Sequence, residues 1–472
     1  HVGLGRLDQV LWPYLQADLA AGLETTESAE ELLAEFFISL NRDNDLYPGV
    51  QQGDNGQSLT VGGVARDGTC GVNPLTWMVL RVGLRTSMID PKINLRIDPD
   101  TDPNLLYLAT LMTRKGLGFP QYSNDAVVIP ALASHGYSIE DARNYTVAAC
   151  WEFTIPGKGM EIVNIGAVSF PAAVDHGLHT ALSGGGSFES VLAATCEHIE
   201  RQVAERVASY QDLFLEPGPF YSVLMDGCLE RGRDLSAGLD YNNYGIHGAA
   251  SSDAADALAA VRVLVFDEQR LTGSELLAAL DSDFADAEVL RKYLVSRGPK
   301  VGNNDDRADE LLTWLFDTFA AACESIQDNG RGGRVRPGTG SAMYYLWLAQ
   351  GRGGMREPVV GATADGRHRG DTFSANLAPA HTARVIGPTS VLQSFSKIDY
   401  SRVYNGGPIT IELADSLFAD EDSVRAVAAF VQTFATLGCQ QMQLNTVQLD
   451  ALQDAQISPE QHRNLIVRVW GW

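Results

Sequence analysis

The chain has 472 residues, 45% hydrophobic and 20% charged, with 35 Lys and Arg against 59 Asp and Glu for a formal charge of −24. That balance excludes a disordered polymer and is enough to build one large barrel or two domains. The acidity argues against nucleic acid and anionic lipid, and no apolar run of about 18 residues or charged leader is visible, so a cytoplasmic protein without membrane span or signal peptide is expected.

Leu7, Val10, Leu11 and Tyr14 recur at helical spacing and predict a helix over residues 3–16, with a second over 28–40. The first pattern is already dense where the chain begins and has no cap before it. A substantial N-terminal portion is therefore expected to precede His1. Residues 47–71, rich in Gly, Asp, Asn and Gln, predict an extended loop. Helices are expected at 75–84 and 104–115, with a short strand, PKINLRI, at 91–97 between them. Further helices are predicted at 187–210, 253–266, 272–284, 308–329 and 423–437, and β-rich runs at 126–129, 221–225, 409–413 and 442–446. Strands alternating with long helices predict an α/β architecture, with a barrel as one form of it. No internal repeat or interdomain linker stands out.

The six cysteines are scattered, without a C-x-x-C pair or a Cys/His cluster at metal spacing, which argues against structural zinc and a disulfide framework. Most are expected to be buried and inert. Cys150 lies in NYTVAACWEFTIPGKGM (residues 144–160), where an apolar run meets a Pro/Gly-rich turn, so a loop tip is predicted. Its weak S–H bond suits nucleophilic or radical work, and Glu152 lies near enough in sequence to move a proton beside it. Two other readings of the same residues are an inert core thiol beside a solvated acid and a Cys/His hydrolase with His176, His179 or His247 as base. The local signature of papain-like hydrolases is missing around Cys150. At the far end, LIVRVWGW places Gly471 between two tryptophans after a β-branched run, where glycine marks a turn, a bulge or a close backbone approach.

VRVWGW resembles the VRV-x-G-aromatic signature of glycyl radical enzymes. The preceding LGCQQMQLNTVQ and LQDAQ are similar to that family's Q-x-Q-x-N and D-A-Q words. Residues 53–68 (GDNGQSLTVGGVARDG), 116–121, 140–150, 299–306 (PKVGNNDD), 361–370 (GATADGRHRG) and 387–399 (GPTSVLQSFSKID) match in the family's order, so the resemblance spans nearly the whole chain.

This resemblance implies a ten-stranded α/β barrel of two five-stranded halves surrounded by helices, of which this chain is the C-terminal part. Residues 1–460 are then the catalytic core and residues 461–472 the start of a glycyl radical loop that continues beyond Trp472. By the same resemblance Gly471 holds a radical and is the organic cofactor, with no metal bound. A separate radical S-adenosylmethionine activating enzyme with an iron–sulfur cluster generates it. A small-molecule substrate, a homodimer and an anaerobic setting are also implied.

In that cycle Gly471 takes hydrogen from Cys150, and the Cys150 thiyl takes hydrogen from substrate. Pyruvate formate-lyase carries two adjacent cysteines where this chain has Ala149 before Cys150, which speaks against acyl transfer from pyruvate. Zinc cysteines of anaerobic ribonucleotide reductase are missing near Gly471. Cys-x-Glu resembles the dehydratase, carbon–nitrogen lyase, carbon–sulfur lyase and arylacetate decarboxylase members, with Glu152 as acid or base. Elimination of water, amine or sulfite is the expected reaction, and decarboxylation of an arylacetate or a non-catalytic scaffold are the alternatives. Trp151 departs from the valine of many members and is expected to pack behind the loop. If it faced the pocket, it would favour an aromatic or cationic substrate. Thr154 and Phe395 are the remaining candidates for lining that pocket.

Overall fold

A computed structural model describes residues 3–42, 56–148, 150–341, 343–351, 359–447, 449–462 and 465. By its internal contacts the chain divides into two compact units. The first is built from described residues up to Pro156 and from Thr410 on, the second from Gly157–Ile409.

The described strands are β1 Gly3–Arg6, β2 Ser58–Gly62, β3 Lys92–Ile97, β4 Gln121–Asn124, β5 Thr146–Ala148, β6 Glu152–Thr154, β7 Ala167–Ser169, β8 Tyr244–Ala249, β9 Val335–Gly338, β10 Ile409–Ala414 and β11 Gln441–Val447. In the first unit six of them form one sheet in the order β1-β2-β3-β4-β11-β10. Neighbours from β1 to β4 pair in parallel, whereas β11 runs antiparallel to β4.

Both faces of the inner strands are buried, yet their residues alternate. Leu59 and Val61, Ile93, Leu95 and Ile97, Tyr122, and Met442 and Leu444 form one face. Ser58 and Thr60, Lys92, Asn94 and Arg96, Gln121 and Ser123, and Gln441, Gln443 and Asn445 form the other. Register carries this polar face across the sheet. Thr60 stands opposite Asn94, Asn94 opposite Gln121, and Ser123 opposite Gln441. A fully buried polar face must be matched by polar partners, and the β5–β6 hairpin supplies part of that match.

Helices Pro74–Thr86 and Pro103–Thr113 begin with proline at the first helical position and are capped by Asn73 and Asp102. Both follow the predicted periodicity. The expected helix over 3–16 starts only at Leu7, because Gly3–Arg6 pairs with β2 instead. Residues 58–62, inside the predicted loop, are a strand whose alternation was hidden by its Gly- and Asn-rich flanks. Two β-rich runs are not strands: 126–129 lies in helix Asp125–Ser134, capped by Asn124, and 221–225 starts in helix Pro219–Ser222 and continues as turn. Short apolar runs have no period that tells strand from helix.

In the second unit β7, β8 and β9 form a parallel three-stranded sheet. Helices Phe170–Leu182, Phe188–Ala208, Ser251–Val261 and Asp306–Glu324 accompany it. Phe170 meets Phe316 and Phe319 edge to face, with ring centroids 5.4 and 5.6 Å away. The predicted helix over 253–266 passes into a π-helical turn, Arg262–Asp267.

The segments at 299–306 and 361–370 are joined through buried charge. Lys300 Nζ donates to the Asp365 carbonyl at 2.9 Å, Asp256 accepts from the Val301 amide at 2.7 Å, and Asp253 accepts from the Ser374 amide at 2.9 Å. Burial first, and then the neighbouring Asp365, push the Asp253 carboxyl up to about 6. A carboxyl that holds its proton more tightly folded than unfolded costs stability as pH rises from its unfolded value near 3.8 through its folded value. Stability of this unit is therefore expected to fall between about pH 4 and pH 6, by up to ~3 kcal/mol from this group. Asp253→Asn should flatten that slope in urea titrations run across the range.

Candidate active site

Cys150 and Glu152 are placed by the β5–β6 hairpin. Its antiparallel register pairs Thr146 with Thr154, Val147 with Phe153 and Ala148 with Glu152, so Cys150 and Trp151 fall at the tip. Buried amides at such a tip must find acceptors. Glu152 provides one. Its Oε2 accepts from the Cys150 amide at 3.1 Å and from the Trp151 amide at 2.9 Å, and the residue is 1% exposed. Carboxylate and thiol thus belong to one short, tied turn, with Cys150 half-buried.

The polar face of the sheet seats this turn. Ser58 Oγ donates to the Val147 carbonyl at 3.0 Å, Thr60 Oγ1 accepts from the Val147 amide at 3.2 Å, and the Thr60 and Thr146 hydroxyls are 2.8 Å apart. Gln441 Nε2 donates to the Trp151 carbonyl at 2.9 Å.

The approach to the hairpin is clamped by two buried arginines. Arg96 makes paired bonds of 2.7 and 2.8 Å to Asp125, donates to the Arg143 carbonyl at 2.7 Å and lies 3.9 Å over the Tyr145 ring. Arg6 reaches the carbonyls of Gly62, Val64 and Arg143. Burial and the neighbouring Arg96 lower Arg6 to about 10. Burial and then Asp125 push the Tyr145 phenol well above 10, so its hydroxyl keeps its proton and donates to Asp125 at 2.7 Å. The TVGG turn passes tightly over this group. A Cβ on Gly63, whose φ is +67°, would stand 2.3 Å from Asp125 Oδ2.

Asp125→Ala is expected to cost about 3–5 kcal/mol, because it leaves the Arg96 charge buried without its partner. Tyr145→Phe should cost less, about 1.5–3 kcal/mol for one bond to a charged acceptor. Denaturant midpoints with unchanged slopes would check both values and their order.

Among the sequence-predicted residues, Trp151 lies at the hairpin tip and is 1% exposed. Thr154 sits at the open end of the hairpin, opposite Thr146. Phe395 belongs to the second unit, where it ends helix Pro388–Phe395, is fully buried, and accepts the Tyr400 hydroxyl on its carbonyl at 2.9 Å. It is not part of the cysteine unit.

His176, His179 and His247, the bases of the hydrolase alternative, also lie in the second unit. His179 is taken up by Asp175 and Asp281, and His247 is fully buried on β8. Gly471 lies outside the described residues. None of the six cysteines is in a disulfide, and among the described residues no group of three or more His, Cys, Asp or Glu is arranged to hold a metal ion. No described helix is long and apolar enough to cross a membrane. Sequence reading missed Ser58, Thr60 and Arg96, whose signal was the polar half of the alternation in SLTVG and KINLRI, and also Asp125 and Tyr145, which no pattern in the sequence marked.

Residues 1–348 match the pyruvate formate lyase-like family model, and residues 373–472 match the glycine radical model. The (2S)-3-sulfopropanediol dehydratase of Klebsiella oxytoca is 29% identical over 100% of this chain and 60% of its own length. The isethionate sulfite-lyase of Nitratidesulfovibrio vulgaris is 28% identical, again over 100% and 60%. Among solved structures, the glycerol-bound B12-independent glycerol dehydratase from Clostridium butyricum superposes with a TM-score of 0.89 at 27% identity, over 99% of this chain and 61% of that one. The chain thus spans about three-fifths of the length of these relatives. Its mixed α/β architecture is that of the barrel enzymes it superposes on. The chain belongs to the pyruvate formate-lyase-like glycyl radical enzymes, whose organic cofactor is a radical carried on glycine.

Proposed function

We propose that the protein is a glycyl radical lyase in which Cys150 is the hydrogen-abstracting thiol, Glu152 the acid/base and Gly471 the radical store. The observation that carries this reading is the tied turn, which puts a half-buried thiol and a buried carboxylate two residues apart on one hairpin. Glu152 Oε2 accepts two amide hydrogens, which holds the carboxylate at the turn where it is to move a proton. Residues 1–460 act as the catalytic core and residues 461–472 open the radical loop.

In the cycle, the Gly471 radical takes the hydrogen atom of the Cys150 thiol. The sulfur radical then takes a hydrogen atom from a hydroxyl-bearing carbon of the substrate. Glu152 removes the hydroxyl proton, and the resulting radical anion expels the leaving group from the adjacent carbon. Cys150 returns its hydrogen atom to the product radical, leaving an aldehyde, and Glu152-H returns its proton to the departing water, amine or sulfite. Bonds and electrons balance without an external oxidant. A near-contact geometry is what makes each transfer fast.

A radical S-adenosylmethionine activating enzyme would make the radical. A homodimer and the cytoplasm of an anaerobic cell are the setting inferred for it, since oxygen consumes carbon radicals. Two relatives by name a dehydratase and a sulfite-lyase support elimination.

The test is a panel of 1,2-diols, amino alcohols, hydroxysulfonates and arylacetates given to activated full-length protein. Aldehyde with released water, amine or sulfite is expected. Carbon dioxide from an arylacetate as the sole product would replace elimination with decarboxylation.

A further inference from the structure

The Q-x-Q-x-N run has no role in the chemistry above, yet its first residue touches the cysteine turn. Gln441 opens β11, is 1% exposed and stands opposite Ser123 of β4. One Nε2 hydrogen goes to the Trp151 carbonyl at 2.9 Å and the other to Ser123 Oγ at 3.2 Å. With both hydrogens committed, the amide is locked with its donor side toward the turn. The turn is consequently held from two sides. Ser58 and Thr60 of β2 fix Val147 on the way in, and Gln441 fixes Trp151, the residue after Cys150, on the way out.

Cys150 and Trp151 follow the last ladder pair of the hairpin, Ala148 with Glu152. Glu152 ties their amides from within, and that tie moves with the hairpin rather than fixing it to the sheet. We infer that Gln441 is a positioning residue for Cys150, anchoring the turn to the sheet so that the sulfur stays where hydrogen transfer needs it. This deepens the proposed role of Cys150 and rests on that reading for its meaning. Its test does not require the radical.

The full chain is treated, unactivated and without oxygen, with iodoacetamide, and alkylation is followed cysteine by cysteine by mass spectrometry in wild type, Gln441→Leu and Gln441→Glu. In Gln441→Leu, Cys150 is expected to react about ten-fold faster than in wild type at every pH, the factor that one ordinary hydrogen bond sets on a local opening. In Gln441→Glu, the ratio to wild type should be high where the carboxylate is ionised and return toward one as pH falls, when the carboxyl regains a donor for the Trp151 carbonyl. Cys70, which is exposed, should react alike in all three, and buried Cys439 and Cys323 should stay protected.

Unchanged Cys150 rates in both variants would overturn the inference. So would a Gln441→Glu ratio that stays high at low pH, since the hydrogen bond would then not be the agent. Opening of Cys439 together with Cys150 would overturn it too, because Gln441 would be holding β11 rather than the turn. A wild-type protein that forms no glycine radical on activation would defeat the functional proposal and leave the alkylation result standing.

Discussion

Cys150→Ser is expected to keep the glycine radical and lose turnover to below about one ten-thousandth of wild type, the scale on which removal of an essential reacting group acts. The substitution is nearly isosteric, and the thiol is half-buried, so the turn should survive it with a stability change within about 1 kcal/mol. What changes is the bond that must break. An S–H bond is weak enough for a stabilised glycine radical to draw its hydrogen, whereas an alcohol O–H bond is not. Radical content by electron paramagnetic resonance and turnover on the elimination substrate, measured on the same sample, would show the two separating. Turnover that survives in Cys150→Ser would assign abstraction to another residue.

Glu152→Gln is the second large effect, with a loss of about 10²–10⁴-fold in kcat, the usual contribution of a positioned general acid or base. The glutamine amide oxygen can still accept from the Cys150 and Trp151 amides, so the turn keeps its tie while the exchangeable proton is lost. Glu152→Ala removes both functions and should in addition loosen the tip, since two buried amides lose their acceptor. The comparison separates chemistry from scaffolding. Equal stability with lost turnover in Glu152→Gln marks acid/base work, and full turnover in that variant removes it.

The family was more legible in the sequence than the support around Cys150. Cys150 and Glu152 were singled out because the flanking words resemble a family; on the residues alone, an inert core thiol beside a solvated acid and a Cys/His hydrolase fitted as well. The hairpin that presents them was not visible, since its two strands are three residues each and carry no measurable period. In the sheet, PKINLRI and the β-rich run at 442–446 read as strands, but their polar residues then suggest one wet face. Here Asn94, Arg96, Gln441 and Gln443 are all buried, and only the fold reveals that their polar face seats the turn. AVVI at 126–129 read as strand because its apolar side chains carry no periodicity, whereas the Asn124 cap and the buried Asp125–Arg96 pair make it the start of a helix. The words at 299–306 and 361–370 matched a family of enzymes, but in the second unit they are a buried charge network that joins loops.

The central claim is that Cys150 exchanges hydrogen with a radical on Gly471. It is tested most directly by activating the full-length protein anaerobically in heavy water and following its electron paramagnetic resonance. A doublet from the single Cα hydrogen of Gly471 should appear, collapse to a singlet as deuterium arrives through the Cys150 thiol, and persist as a doublet in Cys150→Ala. An activated wild type with no glycine-centred signal, or a collapse that proceeds unchanged in Cys150→Ala, would contradict it.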